Sequence, residues 1–188
     1  TLASAHVLFE VLGYGESLIT FETRSGDLFV CKNGALLEMD FPANAPTPCG
    51  SVPELLRTGL GRSPLEVLSA DVYVAVFDSE STVRSIRPDH SLLSHLDLRA
   101  VIITAPGKDV DFVSRYFAPK MGIPEDPVTG AAHCKLAPYW AKRLGKDRLT
   151  AKQVSRRGGD LICEMKGDRV LISGSAVTVM ETKFAFED

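Results

Sequence analysis

The chain has 188 residues, of which 45% are hydrophobic and 24% charged, and its formal net charge is -3. These values are typical of a globular protein that can bury a real core, and they exclude a strongly basic nucleic-acid-binding protein. Neither an apolar run of about 20 residues nor a signal-peptide pattern occurs, so we expect no membrane partner and a cytoplasmic location.

Metal and nucleotide motifs are incomplete. The four cysteines form no CxxC pair, and His133 next to Cys134 has no second ligand pair at a useful spacing, so we predict buried free thiols and no metal site. The glycine pairs at 13–15 and 59–61 lack the third glycine of a GxGxxG loop. No cofactor and no nucleic-acid partner is predicted.

The predicted elements begin with an apolar helix over residues 1–12, an extended strand, and a hairpin over 26–40 whose turn contains Asn33 and Gly34. Residues 41–53 hold four prolines and are predicted to form a linker. The later elements are predicted as helices at 52–59, 89–96 and 133–144, strands near 66–68, 71–77, 97–106, 110–117 and 176–181, an irregular segment at 81–88, and a hairpin at 159–173. Hairpins that alternate with single helices indicate an α+β fold.

The chain also repeats itself weakly. Leu12-Gly13 aligns with Leu144-Gly145 at an offset of 132 residues, and residues 26–40 align with 159–173 at an offset of 133. Each copy predicts a helix, an extended strand and a hairpin. We therefore predict two pseudo-symmetric lobes, each a curved, mostly antiparallel sheet around a central helix. Residues 1–50 would be the remaining part of the first lobe, and residues 51–188 the second lobe.

The two copies differ at their front. Two strands and an acidic turn precede the helix of the second copy, whereas the first copy starts at Thr1 in a helical pattern. We expect the first lobe to be incomplete and the chain to be a fragment of a longer two-lobed protein, with a shortened expression product as the alternative.

The acidic turn before the second helix contains Glu125 and Asp126, followed by Pro127. The proline ring disfavours the α region for the residue before it, so Asp126 is predicted to be held in an extended conformation. A fixed carboxyl group of this kind suits proton transfer at a carbon beside a carboxylate or carbonyl.

Small residues open the helix that follows. Thr129, Gly130, Ala131 and Ala132 leave the first backbone N–H groups accessible at a helix end that carries partial positive charge, and such an end binds carboxylate or enolate oxygens. The alternative is that Asp126 or Thr129 merely caps the helix. The repeat places a matching helix start before Thr1, and two such starts would face one cleft suited to a small anionic substrate, with one acid/base group from each lobe.

Other polar residues are weaker candidates. Arg156 and Arg157 would present guanidinium groups to a substrate carboxylate, or would simply be solvated at the end of a strand. His133 would be a pH-active ligand or, as we prefer, would make a local cap or an interlobe contact. Arg115 is expected to pack or pair at the edge of a lobe.

The most specific resemblance is carried by residues 115–145, RYFAPKMGIPEDPVTGAAHCKLAPYWAKRLG, followed by SRRGGDL. This block closely resembles the C-terminal half of the PhzF family, the phenazine-biosynthesis-like isomerases. TLASAHVLF at the start of the chain resembles the helix that follows a Gly-His-Ala motif in that family. The resemblance implies a diaminopimelate epimerase-like fold, with a cofactor-free active site between two lobes.

The resemblance also implies roles for individual residues. Asp126 is similar to a family active-site acid, and Gly130 with the residue after it to the substrate-binding helix start. This chain has Ala131 where the family usually has serine, which removes a hydroxyl donor. The family's acid/base glutamate and motif histidine would lie before Thr1, so we expect the 188 residues alone not to catalyse the proton shift.

Two hypotheses about function follow. The first is a biosynthetic, cofactor-independent isomerase or epimerase that moves a proton on a small carboxylate-bearing metabolite, with Asp126 as an acid/base group and the amides of Gly130, Ala131 and Ala132 holding the anion. The second is a non-catalytic relative that binds a ligand or a protein, which Ala131 favours. A homodimer is the expected assembly, because strand edges exposed by an incomplete lobe favour association.

Overall fold

A computed structural model describes residues 1–23 and 26–183 and divides the chain into two compact units. The first unit comprises Thr1–Asp40 and the chain from Ser173 onward, and the second comprises Phe41–Ile172. Residues 41–50 thus belong to the second unit. The predicted division into lobes at residues 1–50 and 51–188 stays a prediction. The last five residues of the chain lie outside the described ones. None of the helices in the described ranges is both long and apolar enough to cross a membrane.

The first unit is a helical segment with a three-stranded antiparallel sheet. Helix α1 (Leu2–His6) continues into a π-helical turn (Val7–Val11), and strands β1 (Leu18–Thr23), β2 (Gly26–Asn33) and β3 (Leu36–Pro42) follow. Gly34 makes the β2–β3 turn with a φ of 63°, as the Asn-Gly pair predicts. The chain end returns to this unit, where Ser173 donates a hydrogen bond to Glu38 at 3.0 Å.

The second unit contains most of the regular structure. In chain order its elements are β4 (Thr47–Pro48), α2 (Glu54–Leu60), β5 (Glu66–Ser69), β6 (Tyr73–Val76), α3 (Glu80–Ser85), α4 (His90–Ser94), β7 (Val101–Pro106), β8 (Phe112–Ala118), a 3-10 turn (Pro119–Met121), β9 (Ile123–Asp126), α5 (Gly130–Leu144), β10 (Arg148–Gln153), β11 (Gly159–Lys166) and β12 (Arg169–Gly174). The sheet order is β12-β11-β10-β8-β7-β6-β5-β4, and β9 pairs with β8. The pairs β6–β7 and β8–β10 are parallel, whereas β4–β5, β5–β6, β7–β8, β8–β9 and β10–β11 are antiparallel. The sheet is therefore mostly antiparallel, and the predicted α+β class is confirmed.

The sheet of the second unit has helices on both faces. Helices α2, α3 and α4 pack on one face through a core that includes Leu56, Val83 and Phe117. Helix α5 covers the other face, where Trp140 stacks on Phe112 with ring centroids 5.7 Å apart and planes 6° apart. The Trp140 indole donates a hydrogen bond to Thr104 at 3.0 Å, so this buried polar group is satisfied.

Helix α5 contains a proline without breaking. Pro138 has no N–H to give to the carbonyl four residues back, and the freed carbonyl of Cys134 accepts the backbone N–H of Asn44 at 2.9 Å instead. Gly145 ends the helix in the left-handed region with a φ of 66°. The central helix therefore fixes the segment before β4 as well as the sheet.

Two predictions about elements are wrong. Residues 81–88 are not wholly irregular, because Ser79 accepts a hydrogen bond from the Thr82 amide and caps α3. Residues 176–181 form no strand, since the chain from 175 to 183 has no regular structure. The repeat is confirmed at the level of elements, because each unit contains a helix, a strand and a hairpin turned at Gly34 or Gly167.

Candidate active site

The segment from Glu125 to Thr129, at the end of β9 and before α5, is here named the acidic loop, and it lies where two strands meet on one edge of β8. Strand β10 pairs with the first part of β8 and ends at Gln153, opposite Ser114. Strand β9 pairs with the last part and ends at Asp126, opposite Tyr116. Because both strands end at this point of the edge, Asp126 and Gln153 come together although they are far apart in sequence. Asp126 lies in a strand, as the following proline predicts.

The side chain of Gln153 holds the loop between β9 and α5. Its Oε1 accepts the backbone N–H of Thr129 at 2.8 Å, and its Nε2 donates to the Asp126 carbonyl at 2.7 Å and to Thr129 Oγ1 at 3.1 Å. Gln153 is completely buried. A buried amide with all three of these bonds fixes the loop backbone at both ends.

The Asp126 carboxylate is half-buried and has a defined orientation. Thr129 Oγ1 donates a hydrogen bond to its Oδ2 at 2.5 Å. Thr129 is the N-cap residue of α5, but its side chain caps no helix amide. The predicted alternative in which Thr129 acts as a helix cap is therefore not what the structure shows, because its hydroxyl is committed to Asp126.

The start of α5 presents backbone donors beside this carboxylate. Helix geometry leaves the amides of Gly130, Ala131 and Ala132 without a partner within the helix, and the side chain of the N-cap residue Thr129 does not cap them. A Cβ atom at Gly130 would meet nothing within 4 Å, so the space beside the first turn is open. A carboxyl group and a set of free amides at a helix start are thus brought together, as the sequence predicts. Their roles in binding and catalysis stay predictions.

His133 makes a local contact one turn into the helix. Its Nδ1 lies 2.8 Å from the Thr129 carbonyl, and because a carbonyl only accepts, Nδ1 carries the proton of the neutral ring. Burial lowers the pKa of His133 to about 4. The hydrogen bond to the Thr129 carbonyl raises this pKa and so opposes part of the effect of burial. His133 is therefore neutral near pH 7, and its buried Nε2 has no hydrogen-bond partner in the part of the chain that the structure describes.

Glu125, the first acid of the turn, has a structural partner. Arg115 from β8 contacts both of its carboxylate oxygens, with Nε–Oε1 at 2.7 Å and Nη2–Oε2 at 3.0 Å. The same guanidinium donates to the Val83 and Ile86 carbonyls at the end of α3. Arg115 pairs as predicted, and Asp126 is the acid of the turn that this ion pair leaves available.

A second turn packs against the acidic loop. Ser155 donates a hydrogen bond to the Pro127 carbonyl at 2.7 Å and accepts one from the Gly158 amide at 3.0 Å. A Cβ atom at Gly159 would lie 2.4 Å from Val128 Cγ2, so a larger residue at this position would have to displace the Val128 side chain. Between the turn and the loop is a cavity of about 440 Å³, lined by Glu125, Pro127, Ser155, Arg156 and Arg157.

Sequence reasoning missed Gln153 and Ser155. A signal for Gln153 was present, because Leu149 and Ala151 are apolar at every second position of β10 and Gln153 continues that inward row. A polar residue on an inward row needs buried partners. Ser155 carries no such signal. The described residues bring together no group of three or more His, Cys, Asp or Glu side chains that could hold a metal ion.

The sequence of this protein matches a known family over almost its whole length. The family model described as "Phenazine biosynthesis-like protein" matches residues 1–182. The chain belongs to this family. Two uncharacterized isomerases of Pseudomonas aeruginosa are 52% and 48% identical to it over 180 residues, and the alignments cover 95% and 96% of this chain and 69% of each relative. An uncharacterized isomerase of Halalkalibacterium halodurans is 43% identical over 187 residues, and the alignment covers 97% of this chain and 71% of that relative.

Solved structures of the phenazine biosynthesis family have the same fold. A PhzF family protein of Enterococcus faecalis superimposes with a TM-score of 0.89 at 44% identity, covering 93% of this chain and 67% of that one. A putative PhzC/PhzF protein of Clostridium difficile superimposes with a TM-score of 0.91 at 40% identity, and the superposition covers 98% of this chain and 71% of that one. The resemblance stated from residues 115–145 is thus confirmed, as is the epimerase-like α+β fold.

Proposed function

We propose that this protein is a cofactor-independent isomerase or epimerase that moves a proton on a small metabolite bearing a carboxylate. The names of its relatives, uncharacterized isomerases, support the reaction class. The observation that carries the proposal is the position of the Asp126 carboxylate, fixed by Thr129 beside the uncapped start of α5. That arrangement combines a proton-transfer group with a site for the negative charge that proton removal creates.

The geometry suggests how each group would act. Thr129 occupies Oδ2 of Asp126, so Oδ1 is the oxygen that would take or give the proton. Removal of a proton next to a carboxylate places negative charge on the substrate oxygens, which the amides of Gly130, Ala131 and Ala132 would stabilise. Return of the proton at another atom or face requires either Asp126 again or a second acid/base group, for which the family resemblance implies a glutamate.

Solvent exchange tests this proposal directly. The protein, expressed from its full reading frame in deuterated buffer, should introduce deuterium at a carbon of a small carboxylate substrate, observed by NMR across a panel of such acids. Asp126→Asn should lower the exchange rate by about 10² to 10⁴, the usual contribution of general acid–base catalysis. Asp109→Asn is the matched control, because Asp109 lies in a different loop, far from α5 in sequence.

The other function has a different signature. A non-catalytic ligand-binding relative is favoured by Ala131, whose methyl group cannot donate a hydrogen bond to an anion. Binding of the same acids without deuterium uptake, with no response to Asp126→Asn, would establish that function and refute the isomerase.

A further inference from the structure

Tyr116 lies directly opposite Asp126 in the sheet. The two residues form a cross-strand pair between the antiparallel strands β8 and β9, and the register shifts only beyond them, between Tyr116 and Ala118. Side chains of residues that face each other in such a pair lie on the same side of the sheet, with Cβ atoms about 5 Å apart. The phenol of Tyr116 is therefore a neighbour of the proposed acid/base carboxylate.

Both side chains lie on the face of the sheet that α5 covers. Successive side chains of a strand alternate between the two faces. Arg115 and Glu125, which precede the two residues in their strands, pair on the opposite face, where Arg115 also binds a carbonyl of α3. Phe112, four residues before Tyr116 in β8, stacks on the tryptophan of α5. Tyr116 thus shares with Asp126 the face on which α5 begins.

The hydroxyl of Tyr116 is not used by the fold. A partly buried phenol usually has a hydrogen-bond partner, and the hydroxyls of Tyr73 and Tyr139 donate to carboxylates at 2.7 Å and 2.8 Å. Tyr116 is half-buried like Tyr139, yet its hydroxyl makes no hydrogen bond with any residue in the ranges 1–23 and 26–183. This donor is therefore available to a ligand.

The surroundings of Tyr116 keep the phenol protonated. Burial raises the pKa of Tyr116 above its ordinary value, Arg99 opposes this effect, and Asp71 and Asp126 add to it. Asp71 is in turn bound at 2.8 Å by Lys135 of α5, so this charged group lies beside the same helix. Near pH 7 the phenol is neutral and can donate a hydrogen bond.

We propose that Tyr116 is a further substrate-contacting residue of the site, and that its hydroxyl donates a hydrogen bond to the substrate oxygen that becomes negative when the proton is removed. This inference rests on the proposed function. The start of α5 supplies backbone donors only, because the Thr129 hydroxyl is committed to Asp126 and Ala131 has no hydroxyl. The phenol would add a side-chain donor, and donors aimed at a developing negative charge stabilise the transition state.

Removal of the hydroxyl alone tests this role. Tyr116→Phe keeps the ring and breaks no hydrogen bond of the fold, so its urea unfolding midpoint should equal that of the wild type. In deuterium exchange its kcat should fall by about 10², with a smaller change in KM, because the donor acts mainly on the charge of the transition state. Tyr139→Phe, which removes the hydroxyl bound to Glu66, is the matched control and should leave exchange unchanged.

Oxalate binding provides a second readout that does not require turnover. Oxalate is a planar dianion whose oxygens resemble those of an enolate formed beside a carboxylate. In protein expressed from the full reading frame with 3-fluorotyrosine, oxalate should shift the fluorine resonance of Tyr116, identified by its absence from Tyr116→Phe, and should leave that of Tyr139 in place. The variant should bind oxalate about ten-fold more weakly, because it lacks one hydrogen bond to an anion.

The outcomes distinguish this inference from the proposed function. Exchange that depends on Asp126 but is unchanged in Tyr116→Phe would overturn the inference and retain the isomerase. An unshifted Tyr116 resonance, or equal oxalate affinity in wild type and variant, would also overturn it. Oxalate binding that depends on Tyr116, without exchange of any acid in the wild type, would support the contact with an anion and refute the isomerase.

Discussion

Gln153 connects β10 to both ends of the acidic loop. Its amide satisfies the Thr129 N–H and binds the Asp126 carbonyl, so the direction of the Asp126 side chain depends on a residue 27 positions away. Gln153 touches no reacting atom and is a positioning residue. Its contribution should appear in the rate of the chemical step more than in substrate binding.

Substitution of Gln153 by alanine should therefore lower kcat with little change in KM. It should also reduce the free energy of unfolding by about 1–3 kcal/mol, because the partly buried Thr129 amide loses its partner. Urea unfolding followed by circular dichroism and the rate of deuterium exchange are the two measurements. Gln153→Glu, which would bury a carboxylate against the Asp126 carbonyl, should lose more stability than Gln153→Ala. A Gln153→Ala variant with wild-type kcat would contradict the positioning role.

His133 makes the stability of the protein depend on pH. In the unfolded chain its pKa is near 6.5, whereas burial lowers the pKa of the folded state to about 4. Between these values the unfolded state binds the proton and the folded state does not, so stability falls as the pH drops from about 6.5 toward 4. The loss from this one group between pH 7 and pH 5.5 should be about 1 kcal/mol.

His133→Gln should remove this contribution, so its free energy of unfolding should change less with pH over that interval than the wild-type value. Urea titrations at several pH values measure the difference. His95→Gln is the matched control. Like His133, His95 contacts the carbonyl four residues back, that of Ser91, at 2.8 Å, but His95 is exposed. An identical pH dependence in wild type and His133→Gln would show that His133 has no such role.

At the scale of elements, Arg115 joins three of them. It lies in β8, pairs with Glu125 of β9, and binds two carbonyls at the end of α3, and its side chain is only 10% exposed. The short strand β9 contains Pro124, which limits its backbone pairing. The ion pair therefore contributes much of what holds the acidic turn on the edge of β8.

Loss of the anion should be costly, because Arg115 would remain buried without a partner. Glu125→Ala should destabilise the protein by about 2–3 kcal/mol, somewhat less than a fully buried pair would lose. Glu54→Ala, which removes an exposed pair with Arg57, should cost less than about 1 kcal/mol. Equal losses in the two variants, measured by urea unfolding, would contradict the structural role of the Arg115 pair.

Local sequence signals predicted some elements well and others not at all. The start of α5 and the turns at Gly34 and Gly167 were predictable because their conformations depend on residues within a few positions. The apolar alternation at 176–181 predicted a strand wrongly, because a strand also needs a neighbouring backbone, and Val177 and Val179 are exposed. Strand β9 was missed because four residues with one proline give no periodic signal.

The candidate site was predictable only in part for the same reason. Asp126 and the start of α5 are adjacent in sequence, so their spacing was sufficient to place them together. Gln153 and Ser155 reach the acidic loop through the pairing of β8 with β10, which no local pattern encodes. At the scale of the whole molecule, no change in amino-acid composition indicates that the chain passes from the second unit to the first after Ile172.

The two units should differ in local stability. The first buries few large side chains and leaves Val11, Leu12 and Leu18 exposed, whereas the second has helices packed on both faces of its sheet. Amide protons of β1 to β3 should therefore exchange faster than those of β7, β8 and β10 in the 188-residue chain. Hydrogen exchange followed by mass spectrometry measures this difference, and equal protection of both sets of strands would refute it.

The stacked pair of Trp140 and Phe112 provides a built-in optical probe. The chain has one tryptophan, and its indole is buried in the second unit, so its fluorescence should be blue-shifted in the folded protein and should report on that unit alone. Circular dichroism, by contrast, averages over all strands and helices. Transitions that coincide by the two signals would mean that the units unfold together, and an earlier dichroic change would mean that the first unit unfolds before the core around Trp140.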